Sequence, residues 1–383
     1  MSDKLRKQIT IEGIEAAADV MLPDADLWVT VRCRSSLPGP SEASFVLVLK
    51  QKDYEQRTVI TETVPPGEYA LEAFFGIKEV LCWQPNVIGE ASVYELMAGV
   101  RAEGALQDVA SKNLAVCDAD FSDGGLILNG RSLALPLAVT GKPLSRVTGE
   151  ELRDMEALGF GGLTVTEEDC SRDACLAAGL AVLTTEPRLI RIPRSGDRAA
   201  DIAAARSAGE AAARALAAGE TIGIPCSEAT ARPARYFVAR ALAPLSLFAE
   251  DGAIRCLNRT CRDFAGMLET EDGSSPLRVS AFSAETVSRG TAAVVRDTDN
   301  KPLASLYAGP SEAMPRIFIS AFRTAPEEYR LAVASDGNAR CVELTGNADF
   351  SDNYFTLLAG ESREIAVRDC PDKPDTACRV WDL

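Results

Sequence analysis

The chain has 383 residues and a formal net charge of −16, a length that corresponds to two to four domains. Its acidic balance excludes the basic stripe that duplex nucleic acid requires and disfavours an anionic membrane surface. A composition of 46% hydrophobic and 25% charged residues is that of an ordinary globular protein, and the absence of histidine removes Ser-His-Asp and Cys-His catalysis, His-ligated zinc and imidazole acid/base work. Any chemistry must rest on carboxylates, Cys, Lys, Tyr or Ser.

The first segment, "MSDKLRKQITIEG", has no apolar core of the signal-peptide kind, and no stretch reaches the roughly 18 apolar residues that span a bilayer. The expectation is a cytoplasmic protein without a membrane association. From Ile9 to about Val116 the pattern is β. In "DLWVTVRC", Leu27, Val29 and Val31 alternate with Trp28, Thr30 and Arg32, and short strands recur between Pro/Gly/Asp turns such as "SSLPGPSEA" and "PPGEY". This spacing predicts a β-sandwich of roughly 100 residues.

From Leu126 the rhythm changes. "SLALPLAV" is an apolar run, and "TGEELRDMEALGF" reads as a helix with Thr148 as N-cap, Glu151 three residues on, and Leu152, Met155 and Leu158 on one face. "GGLTV" reads as a strand, "EEDCSRDACLAAGL" as a second helix and "AVLTTEP" as another strand. The Ala-rich "RAADIAAARSAGEAAARALAAG" is helical, "TIGIPCS" is one more strand and "PARYFVARALA" one more helix. This is the beginning of an α/β unit. From Leu245 the chain returns to β. "LSLFAEDGAIRCLN" predicts a hairpin on its Asp-Gly turn, and the strands that follow suffice for two small sandwiches divided near "AGPSEAMP".

The eleven cysteines are scattered and odd in number. Cys170/Cys175 and Cys256/Cys261 lack the tight pairing of zinc sites, so buried reduced thiols are expected and no metal or cofactor. Cys370 and Cys378 flank a Pro-rich tail and could bridge in an oxidising setting.

The order of these segments resembles glycoside hydrolase family 2, in its β-mannosidase branch. The resemblance is carried by "RYFVARALAPLSLFAEDG", "AVVRDTDNKPLASLYAGP", "YRLAVASDGNARCVELTG" and above all "FSDNYFTLLAGESREIAV", a phrase typical of the family's terminal sandwich. "VLCWQPNVIGEASVYELMAGVRAEGALQD" is similar to the family's immunoglobulin-like domain, and "FSDGGLILNGRSLALPLAV" to its entry into the barrel. The resemblance implies a multidomain, mainly β fold in which immunoglobulin-like β-sandwiches flank a truncated (β/α) barrel remnant: a sandwich at 1–122, a truncated β/α segment at 123–242, a second sandwich at 243–308 and a C-terminal β-sandwich at 309–383. It also implies that the jelly-roll domain preceding these in the family is absent. About 115 residues lie between Leu126 and Leu242, whereas a closed (β/α)₈ barrel takes about 250 and at least about 200.

Retaining glycosidases need two carboxyl groups about 5 to 5.5 Å apart. The family's acid/base is the Glu of an Asn-Glu phrase, and this sequence contains no Asn-Glu dipeptide. For the nucleophile the candidate is Glu228 in "CSEAT", with Glu186 in "TTEP" as a second carboxylate; Glu167 and Glu168 suit a helix start, where anions are favoured by the dipole. The implied function is a degenerate family 2 protein, non-catalytic, with a carbohydrate-binding or protein-interaction role. The alternatives are an active retaining hydrolase on β-mannosides or related β-glycosides with a rebuilt carboxylate pair, and an assembly subunit. An incomplete barrel leaves strand faces and edges to cover, so self-association or a protein partner is expected there, in addition to the Ala-rich helix. For Tyr354 and Phe355 two roles stand open: reaching the active-site face, or closing the sandwich and sealing a domain interface.

Overall fold

The computed structural model describes residues 8–122, 125–170, 172–184, 187–309, 315–368 and 370–382. It divides into two compact units, Met1–Leu133 with Glu168–Val182, and Ala134–Glu167 with Leu183–Leu383.

The first unit is built on seven long strands: β1 (Ile9–Met21), β2 (Asp24–Ser35), β3 (Ser41–Gln51), β4 (Tyr54–Val64), β5 (Gly67–Ile77), β6 (Val93–Ala102) and β7 (Ala105–Ala115). They form two antiparallel sheets in the orders β1-β2-β5 and β4-β3-β6-β7, an immunoglobulin-like sandwich. The predicted alternation is real: Leu27, Val29 and Val31 are buried between the sheets, while Trp28 on the same strand is 48% exposed. A small antiparallel sheet follows, of β8 (Ala119–Ser122), β9 (Gly125–Leu128) and β10 (Arg131–Leu133).

The helix α1 (Gly149–Ala157) has the expected capping box. The Thr148 side chain accepts from the Glu151 N–H, and Glu151 returns a bond to the Thr148 N–H. Leu152, Met155 and Leu158 are buried as their spacing requires. Gly159 ends the helix at φ +83, where a Cβ would stand 2.5 Å from the Leu242 carbonyl oxygen, so only glycine fits.

The second expected helix is a correction. Only α2 (Asp173–Ala177) is helical, and Glu167 and Glu168 lie before it, exposed. The stretch "EEDCSRD" offers no apolar face to bury until Cys175, so it has nothing to hold a longer helix against. What α2 does have is a dock in the first unit: Trp83 Nε1 donates to Leu176 O at 3.4 Å and Asn86 Nδ2 to Ala178 O at 2.9 Å.

The second unit opens on short parallel strands. β11 (Pro136–Val139) lies between β12 (Gly162–Thr164) and β15 (Ile222–Pro225), β14 (Arg188–Leu189) pairs with β15, and at the end of β13 (Ala181–Leu183) Leu183 accepts from the Val165 N–H. Among the described residues these strands form an open sheet, not a ring. The Ala-rich helix α3 (Arg198–Ala217) is capped by Asp197 and buries Ile202, Ala205, Ala208, Gly209, Ala212 and Leu216. It packs against α5 (Ala234–Ala241), which follows the single turn α4 (Cys226–Ala229), and against the next sandwich.

That sandwich comprises β16 (Leu245–Glu250), β17 (Ala253–Asn258), β18 (Phe264–Thr270), β19 (Gly273–Val279), β20 (Ser283–Ser288), β21 (Ala292–Arg296) and β22 (Pro302–Tyr307). Its sheets run β16-β17-β20 and β19-β18-β21-β22, the same pairing scheme as in β1–β7. Asp251 and Gly252 turn the first hairpin with φ of 50 and 74, the geometry that an Asp-Gly pair adopts most readily. A third sandwich follows, of β23 (Ile317–Ala325), β24 (Glu328–Ser335), β25 (Ala339–Thr345), β26 (Asp349–Phe350), β27 (Phe355–Leu357), β28 (Ser362–Arg368) and β29 (Ala377–Val380), in sheets β23-β24-β28-β26 and β27-β25-β29. All eleven cysteines, including Cys370 and Cys378, are thiols. Among the described residues no helix is long and apolar enough to cross a membrane.

Candidate functional site

The carboxyl ends of parallel strands are where α/β folds place ligands. Here β11, β12, β14 and β15 run in register and end at Val139, Thr164, Leu189 and Pro225. Thr140 Oγ1 donates to Thr164 O at 2.7 Å and ties two of these ends together. Lys142 reaches α1 and donates to both carboxylate oxygens of Glu151, at 2.7 and 2.6 Å. With the Thr148 N–H also bound, these contacts hold the Glu151 carboxyl below its ordinary range, the Lys142 hydrogen bond being the largest cause. Cys226, at the end of β15, is shifted up, first by burial and then by the charges of Glu151 and Asp154. A thiol shifted in this direction is a poorer nucleophile at neutral pH, not an activated one.

Glu228 stands on α4, just beyond β15. Both of its oxygens are taken: Oε1 accepts from Arg191 Nη1 at 3.0 Å and Oε2 from the Ile192 backbone N–H at 2.6 Å. Its side chain is 23% exposed. The carboxylate therefore fastens the loop after β14 to the end of β15. Glu186, the second sequence candidate, lies outside the described residues. Glu168 is engaged by Arg172, with Nε at 2.8 Å from its carboxylate.

A second cluster, which sequence reasoning passed over, joins α3 and α5 to the third sandwich. Glu343 on β25 is 1% exposed. It accepts from Trp381 Nε1 at 2.7 Å, from the Tyr354 hydroxyl at 2.8 Å and from Arg198 Nε at 2.9 Å. Burial alone would raise its pKa, but the three donors outweigh that and lower it. The Tyr354 phenol moves the other way, pushed up first by burial and then by the Glu343 carboxylate. The Tyr354 ring packs between Tyr236 and Phe237 of α5, at centroid distances of 5.8 and 6.0 Å. Tyr354 therefore seals the junction between helices and sandwich, while Phe355 is fully buried in the sandwich core. Nearby, Arg240 Nη1 and Nη2 donate to Tyr354 O and Asn353 O at 2.7 and 2.6 Å, and Arg363 bridges Asp352 and Ser305 at 2.8 and 3.0 Å. Arg240, Ser305, Asp352, Tyr354 and Arg363 line a pocket of about 540 Å³ bounded by α3, α5, β16, β22 and the third sandwich. The sequence signal for Glu343 was a single acid in the apolar strand "ARCVELT"; the fold sets it opposite Arg379 in the β25–β29 register and brings Arg198 to it from 145 positions away.

Residues 314–379 match the Ig-fold domain family Ig_mannosidase. Among solved structures the chain is similar to the β-D-mannosidase from Dictyoglomus thermophilum, with a TM-score of 0.70 at 11% identity over 99% of this chain and 77% of that one. It is also similar to the exo-chitosanase of Amycolatopsis orientalis, with a TM-score of 0.60 at 11% identity over 98% of this chain and 78% of that one. No curated protein matches the chain. The class these likenesses define is a fold of immunoglobulin-like sandwiches and an α/β segment, shared with that β-D-mannosidase and that exo-chitosanase. Within that class the resemblance read from the sequence, to the β-mannosidase branch, agrees with the terminal-domain match.

Proposed function

We propose that this protein is a degenerate, non-hydrolysing member of the β-mannosidase-like glycoside hydrolase family 2 fold, whose work is binding, of carbohydrate first and of a protein partner second. The observation that carries this is the state of Glu228. A retaining nucleophile must present a free carboxylate to the anomeric carbon, with an acid about 5 to 5.5 Å away. Glu228 instead spends both oxygens on Arg191 and Ile192, and Glu151 spends its own on Lys142 and the cap of α1. In this reading the open parallel sheet is the remnant of a truncated barrel, occupying 123–242 between sandwiches at 1–122, 243–308 and 309–383, in a cytoplasmic protein. Leu135, Leu163 and Val182 are already buried within the chain, so among the described residues only the β14 edge, where Leu189 is 44% exposed, is left for self-association or a protein partner to cover; sedimentation at micromolar concentration reads this directly.

The decisive measurement is release of the aryl group from an aryl β-mannoside. The expected rate equals that of buffer alone, in the wild type and in Glu228→Gln. Turnover that disappears in Glu228→Gln overturns the reading in favour of an active hydrolase with a rebuilt pair that includes Glu228, with Glu186 as its natural partner.

A further inference from the structure

The outer face of the sheet β1-β2-β5 carries an aromatic pair where the alternation calls for polar residues. Trp28 and Phe74 are directly opposite each other in the β2–β5 register, 48% and 50% exposed, with ring centroids 5.7 Å apart and planes at 61°. Register fixes what surrounds them. Ala17 of β1 lies beside Trp28 and completes the middle row; the row on one side is Asp19–Asp26–Gly76, and that on the other is Glu15–Thr30–Glu72. With strands about 4.8 Å apart and alternate residues about 6.8 Å apart, the three rows make a face of about 10 by 14 Å.

Four carboxylates fall on this face and no base does. Glu15 is answered by Arg32 in the next row, at 2.9 Å, and Lys78, bonded to Asp24 at 2.5 Å, is also near enough to act on Asp26. Asp19, Asp26 and Glu72 make no ion pair or side-chain hydrogen bond among the described residues. Ala17 and Gly76 are the smallest residues available, so the rings stand proud of their neighbours. An exposed Trp beside an exposed Phe attracts both apolar C–H faces and cations, and the flanking carboxylates select the cation.

We propose that this face binds a cationic amino-sugar chain, a glycan of 2-amino-2-deoxyhexose units with free ammonium groups. One pyranose face packs on the exposed Trp28–Phe74 pair, whose edge-to-face rings form a single apolar platform, while ammonium groups on either side meet Asp19 and Asp26 in one row and Glu72 in the other. Charge complementarity excludes uronate or sulfated chains from the same face. The inference extends the carbohydrate-binding reading to a surface of the first unit, but it does not depend on whether the parallel sheet hydrolyses anything.

The test uses Trp28 as its own reporter, because Trp83 and Trp381 are only 3% and 8% exposed. Intrinsic fluorescence of the full chain is titrated with a glucosamine tetrasaccharide, its fully N-acetylated form and a lysine-rich peptide. A saturable blue shift with the amino sugar is expected, at least tenfold weaker with the N-acetylated chain and with the peptide. Phe74→Ala should weaken binding roughly tenfold, and Asp26→Asn with Glu72→Gln should abolish the preference for the free amine. Thermal midpoints verify that these surface variants fold. A flat titration to millimolar concentration, equal response to the N-acetylated chain, tighter binding of the peptide, or affinities unmoved by folded variants each overturns the proposal. Aryl-mannoside turnover is read separately, so failure of one reading leaves the other standing.

Discussion

The side-chain amide of Asn353 stands in for a strand neighbour. Its Oδ1 accepts from the Leu344 N–H at 2.7 Å, its Nδ2 donates to Leu344 O at 2.8 Å, and it is 2% exposed. Tyr354 follows at φ +54, an unusual conformation for a non-glycine residue, which turns the phenol onto Glu343. This explains why the "SDNY" phrase is so distinctive although nothing in it is reactive. Asn353→Ala strands a buried N–H and C=O at once and is expected to cost about 3 kcal/mol, read from urea unfolding. Glu343→Gln keeps the shape but loses the charge that three donors address, and should cost about 2 kcal/mol at neutral pH. Because the folded pKa of Glu343 lies below its usual 4.5, its contribution is complete above that value and is lost as pH falls through the depressed folded value. Wild-type stability should therefore drop more steeply on acidification than that of Glu343→Gln, and the two should converge in strong acid. The same residues show the limit of sequence reasoning. Asn353 and Tyr354 could be singled out by their phrase, whereas Glu343 gained meaning only from a helix far away in the chain.

Among the elements, those whose signals are local were legible. The capping box of α1 was written in Thr148 and Glu151, and Thr148→Ala should cost about 1 kcal/mol, visible as a lowered thermal midpoint. The hairpin at Asp251–Gly252 was written in its turn. The α2 helix was over-read because an alanine- and leucine-bearing stretch resembles a helix whether or not a surface awaits it; its dock at Trp83 and Asn86 depends on contacts some 90 residues apart. The parallel strands are two to four residues long, too short for periodicity; β12, β13 and β15 were legible as short apolar runs, whereas β14, two exposed residues, left no signal. In α3 the small residues serve close helix packing. A Cβ on Gly209 would lie 3.0 Å from Phe237 O on α5, so the helices touch where the side chain is missing. Gly209→Leu should separate them at a cost of about 3 kcal/mol, with a matching loss in the unfolding midpoint.

For the whole molecule, the sandwiches follow from alternation and turns, while the division into units does not, since it assigns Glu168–Val182 to the first unit and the residues on both sides to the second. The apolar core of β1–β7 draws its buried residues from Ile9 to Val116 and none beyond. The fragment Met1–Val116 is therefore expected to be soluble and to unfold cooperatively, as calorimetry would show. The parallel sheet behaves differently, because its middle strand β11 is flanked by β12 and by β15, and β15 follows about 80 residues later. On a ribosome adding about 5 to 20 residues per second, that interval is about 4 to 16 s. Throughout it, Leu137 and Ala138, which end fully buried, have one neighbour instead of two. A nascent chain stalled at Leu189 should accordingly be recovered in the insoluble fraction, where one stalled at Val116 is not. The position of a single four-residue strand thus predicts a definite window of synthesis in which the emerging polypeptide gains from chaperones, a window that closes when Ile222–Pro225 leaves the exit tunnel.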